Sequence, residues 1–229
     1  TQAVFPEGGL SLDGRIAEPK LGFLSYIVSG FRPEGRDVVF VPVALNYDRV
    51  LEDRVLIDAN QSGTRTFRAA IPTALAFAVR QLGKKLRGTI YRFGYAAVSF
   101  GEPVSLAAFR KLHPENTTEA LGQLLKARME AIVPILPVPL IATVLEDRKG
   151  PWTEDALKQA TLARYQALTD TNAHVHIPRG DLDYAVEAGL RTLKMRHIVV
   201  NDRSGVHVSP GLEPILAYYA NSIRHLIAG

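Results

Sequence analysis

The stretch Phe5-Pro6-Glu7-Gly8-Gly9-Leu10-Ser11-Leu12-Asp13-Gly14-Arg15 decides how this chain is read. Ala3-Val4-Phe5 reads as a strand that runs into a turn built for close approach. The paired glycines Gly8 and Gly9 let the backbone come near a ligand or adopt positive φ. Glu7 puts a carboxylate at the strand end, where it can accept hydrogen bonds from hydroxyls or orient a cation. Arg15 can meet a phosphate through two parallel bonds. A glycine pair beside a glutamate is equally the makeup of an ordinary turn, so the surrounding sequence must decide.

Downstream, a helical stretch is expected around Gly22–Ser29. Asp37–Leu45 holds Val38, Val39, Phe40, Val41 and Val43 in a nearly continuous apolar run. Such runs predict a strand buried on both faces, as in a parallel or mixed sheet covered by helices. Residues 66–83 read as helix with Gly83 as the stop, and Thr89–Phe100 as a further strand with Gly94 marking a bulge. A helix from about Asn116 to Val133 has Asn116 as cap and Leu121, Leu124, Leu125, Met129 and Ile132 as its buried stripe.

The run Ile132–Leu145 is uncharged but interrupted by Pro134, Pro137 and Pro139. It is shorter than the roughly 18 apolar residues that cross a bilayer. It reads as a buried linker and a helix with Pro139 in its first turn, with an interfacial membrane contact as the alternative. After Gly150-Pro151, Thr153 caps a helix to about Leu168, and a second helix covers Asp181–Lys194. A hairpin joins Ile198–Val200 to Val206–Val208, and Ser209-Pro210 opens a last helix with Leu212, Ile215, Leu216, Tyr219, Ile223 and Leu226 on one face. These parts are winged-helix-like, although in a different order.

The chain has 229 residues, 47% hydrophobic and 22% charged, which is a globular composition. It has no cysteine, so disulfides, thiolate nucleophiles and Cys-ligated zinc are excluded. The net charge of +4 suits an anionic partner: a phosphorylated metabolite, an anionic membrane surface or nucleic acid. Its densest basic run is Arg80, Lys84, Lys85, Arg87 and Arg92, a solvated face or a contact for anionic lipid headgroups.

Phe-Pro-Glu-Gly followed by Ser-x-x-Gly-Arg resembles the signature of the glycerolipid acyltransferases. Four further stretches in the same order resemble the bacterial glycerol-3-phosphate acyltransferases. They are Pro19-Lys20-Leu21-Gly22, Val39 to Asp48, Phe100-Gly101-Glu102-Pro103, and Tyr218-Tyr219-Ala220-Asn221-Ser222-Ile223. Together they cover nearly the whole chain.

The resemblance implies an α/β fold with a mixed sheet covered by helices. It makes residues 1–133 the C-terminal part of an acyltransferase domain and residues 134–229 a smaller, mostly helical, winged-helix-like region. It implies acyl transfer from acyl-CoA or acyl-carrier protein to the sn-1 hydroxyl of glycerol 3-phosphate, or to lysophosphatidate, with no cofactor or metal. Glu7, Gly8 and Gly9, with Ser11 and Arg15, are the implied acceptor-binding residues. Pro42 takes a donor-binding or structural role, and Lys84, Lys85 and Arg87 a membrane contact. Leu10 stands where many relatives have Arg. The implied location is peripheral, on the cytoplasmic face of the cell membrane, with nucleic acid not a partner.

The family's general base and its orienting carboxylate form a His-x-x-x-x-Asp element upstream of the Phe-Pro-Glu-Gly turn. Only four residues precede Phe5, so the resemblance implies that residues upstream are missing, that no catalytic residue is present here and that this chain alone is inactive. His176-Ile177-Pro178-Arg179-Gly180-Asp181 repeats the spacing in the wrong order, and Asp181 has a competing role as a helix cap. His174 and His176 share a strand face but lack an evident third metal ligand. The alternative is a non-catalytic, winged-helix-like binding module for nucleic acid or protein at the C-terminus, with DNA binding disfavoured by Asp183 and Glu187 on the helix that would meet phosphates.

Overall fold

The computed structural model describes residues 2–63, 94–148, 150–171 and 173–227. In order these form α1 (Leu21–Gly30), β1 (Val39–Phe40), β2 (Val43–Tyr47), α2 (Asp53–Ser62), β3 (Ala96–Phe100), β4 (Val104–Ser105), α3 (Leu106–Leu112) and α4 (Thr117–Ala131). There follow α5 (Pro137–Asp147), α6 (Glu154–Asp170), α7 (Leu182–Met195), β5 (Val199–Asp202), β6 (Gly205–Val208) and α8 (Glu213–Arg224). The result is mixed α/β. Among the described residues the ladders are antiparallel pairs: β1 with β4, β2 with β3, and β5 with β6.

The single strand expected over Asp37–Leu45 is two strands, because Pro42 has no N–H to give a ladder. Pro42 is buried, and its carbonyl accepts the Gly101 N–H at 2.8 Å where the chain passes from one pair to the other. The expectation of burial on both faces is also corrected. Along β2, Ala44 and Asn46 are buried while Val43, Leu45 and Tyr47 are exposed. The register sets Val43 beside Phe100, Leu45 beside Val98 and Tyr47 beside Ala96, so one face of this ribbon is apolar and open. The strand expected at Ala3-Val4-Phe5 has no ladder among the described residues.

Helix α5 organises the larger core. Nine consecutive residues, Pro137–Leu145, are buried, as an all-round apolar helix requires. Pro137 and Pro139 lie in its first turn, where a missing N–H costs nothing. It packs against α6, α7 and α8, which places the uncharged run inside the protein rather than at an interface. Leu56 and Ile57 of α2 join the same core, as do Trp152, the β5–β6 hairpin and Tyr219. A second cluster gathers Leu24, Phe31, Val104, Leu106, Phe109, Leu121 and Leu125 from α1, α3, α4 and their connections.

Asp48 ties the ribbon to α5. Its carboxylate accepts the Val138 N–H at 2.8 Å and the Tyr95 N–H at 3.0 Å. Burial nonetheless pushes its pKa up to about 6.

Several expected caps are present: Thr153 accepts the Ala156 N–H at 3.1 Å and Asp181 the Tyr184 N–H at 3.0 Å. Asn116 sits at the cap position of α4 without a side-chain bond. The last helix starts at Glu213, not at Ser209-Pro210. Ser209 is held by the hairpin instead, its N–H on the Ile198 carbonyl and its hydroxyl on the His197 carbonyl. The helix expected over 66–83, the first part of the Thr89–Phe100 strand and the basic run at Lys84, Lys85 and Arg87 lie outside the described residues.

Candidate functional site

The 5–15 turn is held in shape by its own side chains. The Ser11 hydroxyl accepts the Gly14 N–H at 3.0 Å and donates to the Arg15 carbonyl at 2.7 Å. Asp13 Oδ1 accepts the Arg15 N–H at 3.0 Å. The Glu7 carboxylate accepts the Ala17 N–H at 3.0 Å, bridging the two ends of the segment. Burial raises the Glu7 carboxyl above its ordinary value, partly offset by that bond and assisted by nearby Asp13.

The turn docks on α8. Gly14 has φ +89°, and a Cβ there would lie 1.9 Å from the Tyr218 carbonyl oxygen, so a side chain has no room. Asn221 donates to the Asp13 carbonyl at 2.9 Å and accepts from the Arg15 guanidinium at 3.5 Å.

The loop between β2 and α2 docks on the same turn of helix. Tyr219 Oη accepts the Val50 N–H at 3.0 Å and an Arg196 N–H at 2.7 Å, and donates to Asp53 Oδ2 at 2.6 Å. That arrangement uses both lone pairs and the proton of the hydroxyl. Arg196 also meets Asp53 Oδ2 at 2.6 Å, and the Asp53 side chain is only 2% exposed. Further along, Asn46 donates to the Pro134 carbonyl at 2.9 Å and to the Ser222 hydroxyl at 3.2 Å.

Between these two loops and α8 lies an open cleft of about 460 Å³. Glu7, Ser11 and Arg15 line it from the turn, Arg49 and Glu52 from the β2–α2 loop, and Tyr218 from α8. Leu10, Leu45, Val50, Leu51 and Leu56 give it apolar walls. Burial pushes the Tyr218 hydroxyl up to about 12, so it is a neutral donor at physiological pH. Burial and the nearby Arg196 charge both lower the Arg49 guanidinium pKa. Two carboxylates, two guanidiniums and neutral hydroxyls around an open space suit a small polar molecule bearing hydroxyls and a phosphate.

Of the residues expected at the site, Glu7, Ser11 and Arg15 come together here. Gly8 and Gly9 are exposed in the turn but do not line the cleft, and Pro42 lies away from it. None of the six histidines lines it. The Asp181 carboxylate caps α7, while His176 stands against Tyr95 with ring centroids 5.8 Å apart. Arg49 and Glu52 were not singled out by sequence reasoning, and Tyr218 entered it only within the Tyr218–Ile223 stretch, with no site role. The available signal for Arg49 was its place directly after the Val39–Asp48 block.

Residues 79–229 match the family model described as glycerol-3-phosphate acyltransferase C-terminal region. Over 98% of its length the chain is 27% identical to a glycerol-3-phosphate acyltransferase of Pseudomonas fluorescens strain Pf0-1. It is 26% identical over the same share to the enzymes of that name from Pseudomonas putida and Ectopseudomonas mendocina. The chain spans 28% of the length of each of these relatives. With its motif turn built into a cleft and its C-terminal two-thirds matched by that model, this chain belongs to the glycerol-3-phosphate acyltransferase family, as part of the C-terminal region.

Proposed function

We propose that this chain forms the acceptor-binding side of an acyltransferase that moves a fatty acyl group from acyl-CoA or acyl-carrier protein to the sn-1 hydroxyl of glycerol 3-phosphate. The product is lysophosphatidate. One observation carries the reading: Glu7 and Arg15 of the motif turn face a single cleft. In the reaction the hydroxyl oxygen attacks the thioester carbonyl, the new ester forms, and the thiol leaves with a proton. Glu7 would orient the glycerol hydroxyls and Arg15 would balance the phosphate charge. Among the described residues no histidine lines the cleft. On this reading the general base belongs to the family's His-x-x-x-x-Asp element upstream of the turn, and the chain alone is expected to be inactive. No cofactor is needed for this chemistry.

The finer architecture follows the same reading. The β2–β3 ribbon would belong to a larger acyltransferase sheet, with its open apolar face covered by a further layer. The α6–α7–hairpin–α8 unit, winged-helix-like in its parts, would pack on that domain rather than read nucleic acid. Lys84, Lys85 and Arg87 would touch anionic lipid at the cytoplasmic face of the membrane. No helix among the described residues is long and apolar enough to cross a membrane.

The test is acyl transfer from labelled acyl-CoA or acyl-carrier protein by a polypeptide extended upstream of Thr1, with Glu7→Ala alongside. Lysophosphatidate formation that Glu7→Ala largely abolishes supports the reading. A folded, extended polypeptide that acylates only lysophosphatidate would move the acceptor one step along. One that acylates neither would overturn the reading.

A further inference from the structure

We propose that Arg49 is a phosphate-binding residue of the cleft, and that Tyr219, Asp53 and Arg196 form the brace that positions it. The inference rests on the acceptor-binding reading of the cleft and extends it to residues outside the motif turn.

Residues Asp48–Glu52 join β2 to α2, and Arg49 from this loop lines the same cleft as Arg15 of the motif turn. Both loops are fastened to one stretch of α8. The Tyr218 carbonyl and the Asn221 side chain hold the Gly14-Arg15 corner, and the Tyr219 hydroxyl holds the Val50 N–H. One helical turn rises about 5.4 Å, so the two corners stand on the same short segment of rigid backbone. Val50 directly follows Arg49, so fixing the Val50 N–H fixes where the Arg49 side chain departs.

The electrostatics agree. The Asp53 carboxylate is nearly fully buried and accepts bonds from both Arg196 and Tyr219. Partial burial, and next the neighbouring Arg196 charge, disfavour the charge of Arg49, while Tyr219 and Asp53 offset part of that effect. A phosphate dianion in the cleft would add a favourable charge beside Arg49. Glu7 and Glu52 also line the cleft, with Glu7 engaged by the Ala17 N–H. They select against simple polyanions and favour a phosphate that carries hydroxyls. The ligand class is therefore a phosphomonoester of a small polyol, held between Arg15 and Arg49.

The test is calorimetric titration of the 229-residue chain with sn-glycerol 3-phosphate, inorganic phosphate and glycerol at low salt. Circular dichroism checks folding of each variant. The wild type should bind glycerol 3-phosphate more tightly than phosphate, with no detectable binding of glycerol. Arg49→Gln should weaken glycerol 3-phosphate by about 10–100-fold, the range for loss of a charge-assisted hydrogen bond, and Arg49→Lys should recover part of it. Tyr219→Phe should weaken binding in the wild-type background and add little to Arg49→Gln, because the brace acts through Arg49.

Full binding by Arg49→Gln would overturn the proposal. So would strictly additive effects of Arg49→Gln and Tyr219→Phe, or a folded wild type that binds neither phosphate compound. Binding lost in Arg15→Gln but kept in Arg49→Gln would remove Arg49 and leave the acyltransferase reading intact. The acyl-transfer assay decides that reading separately.

Discussion

Tyr219 on α8 donates a hydrogen bond to Asp53 at the start of α2, with 2.6 Å between the oxygens. These residues are 166 positions apart, and their bond joins the C-terminal helix to the loop that frames the cleft. With the Arg196 pair it is the best-buried ionic contact among the described residues. Removing one partner of a buried pair leaves a charge without compensation. Asp53→Ala is therefore expected to cost about 3–5 kcal/mol in urea unfolding. A double substitution, Asp53→Ala with Arg196→Met, should cost less than the sum of the single changes. A loss below about 1 kcal/mol for Asp53→Ala would show that the network contributes little.

Gly14 meets α8 with no room for a side chain. Gly14→Ala is expected to lose about 1–3 kcal/mol from backbone strain alone. It should also move the Arg15 corner away from Asn221 and weaken glycerol 3-phosphate binding. An unchanged unfolding midpoint with unchanged binding would contradict the close approach of the turn to Tyr218.

Asp48 gives a pH dependence with a definite sign. Its folded pKa, about 6, lies above the ordinary value, so the folded state takes up the proton first as pH falls. Its contribution to stability is complete below about pH 4 and is lost as pH rises through about 6. Unfolding free energies of wild type and Asp48→Asn, measured from pH 4 to 7, should show the wild type gaining on the variant as pH falls. The change should be at most about 3 kcal/mol. A flat difference, or one of opposite slope, would mean that the Val138 and Tyr95 N–H groups outweigh burial.

The outer face of the β2–β3 ribbon carries Val98 and Phe100, the latter 70% exposed. Val98→Thr with Phe100→Ser should change the stability of this chain by no more than about 0.5 kcal/mol each and reduce self-association in sedimentation. If the proposed further layer covers this face, the same pair should lower the stability of a polypeptide extended upstream of Thr1. A large loss of stability in the 229-residue chain would contradict the exposure seen here.

The helices were legible because periodicity and caps act over one or two turns: α1, α4, α6 and α7 fall close to where the Gly22–Ser29 stretch, Asn116, Thr153 and Asp181 signal them. The apolar helix α5 was legible for the same reason, from its prolines. The Val38–Val43 run misled because apolar content alone does not separate burial on both faces from an alternating ribbon interrupted by Pro42. The turn at Glu7 and Arg15 was legible from its motif. Its partners were not: Tyr218, Tyr219 and Asn221 lie more than 200 positions away from it, and only packing brings them near. Arg49 carried no pattern of its own and was revealed by sharing a cleft with Arg15.

On the proposed reading the motif turn, the β2–α2 loop and α8 form one acceptor site. The direct measurement is an amide chemical-shift titration of the isotope-labelled chain with sn-glycerol 3-phosphate. Saturable shifts are expected at Ser11, Gly14 and Arg15, at Arg49 and Val50, and at Tyr218 and Tyr219, with the β5–β6 hairpin unmoved. Shifts confined to other surfaces, or saturation that survives Arg15→Gln with Arg49→Gln, would contradict it.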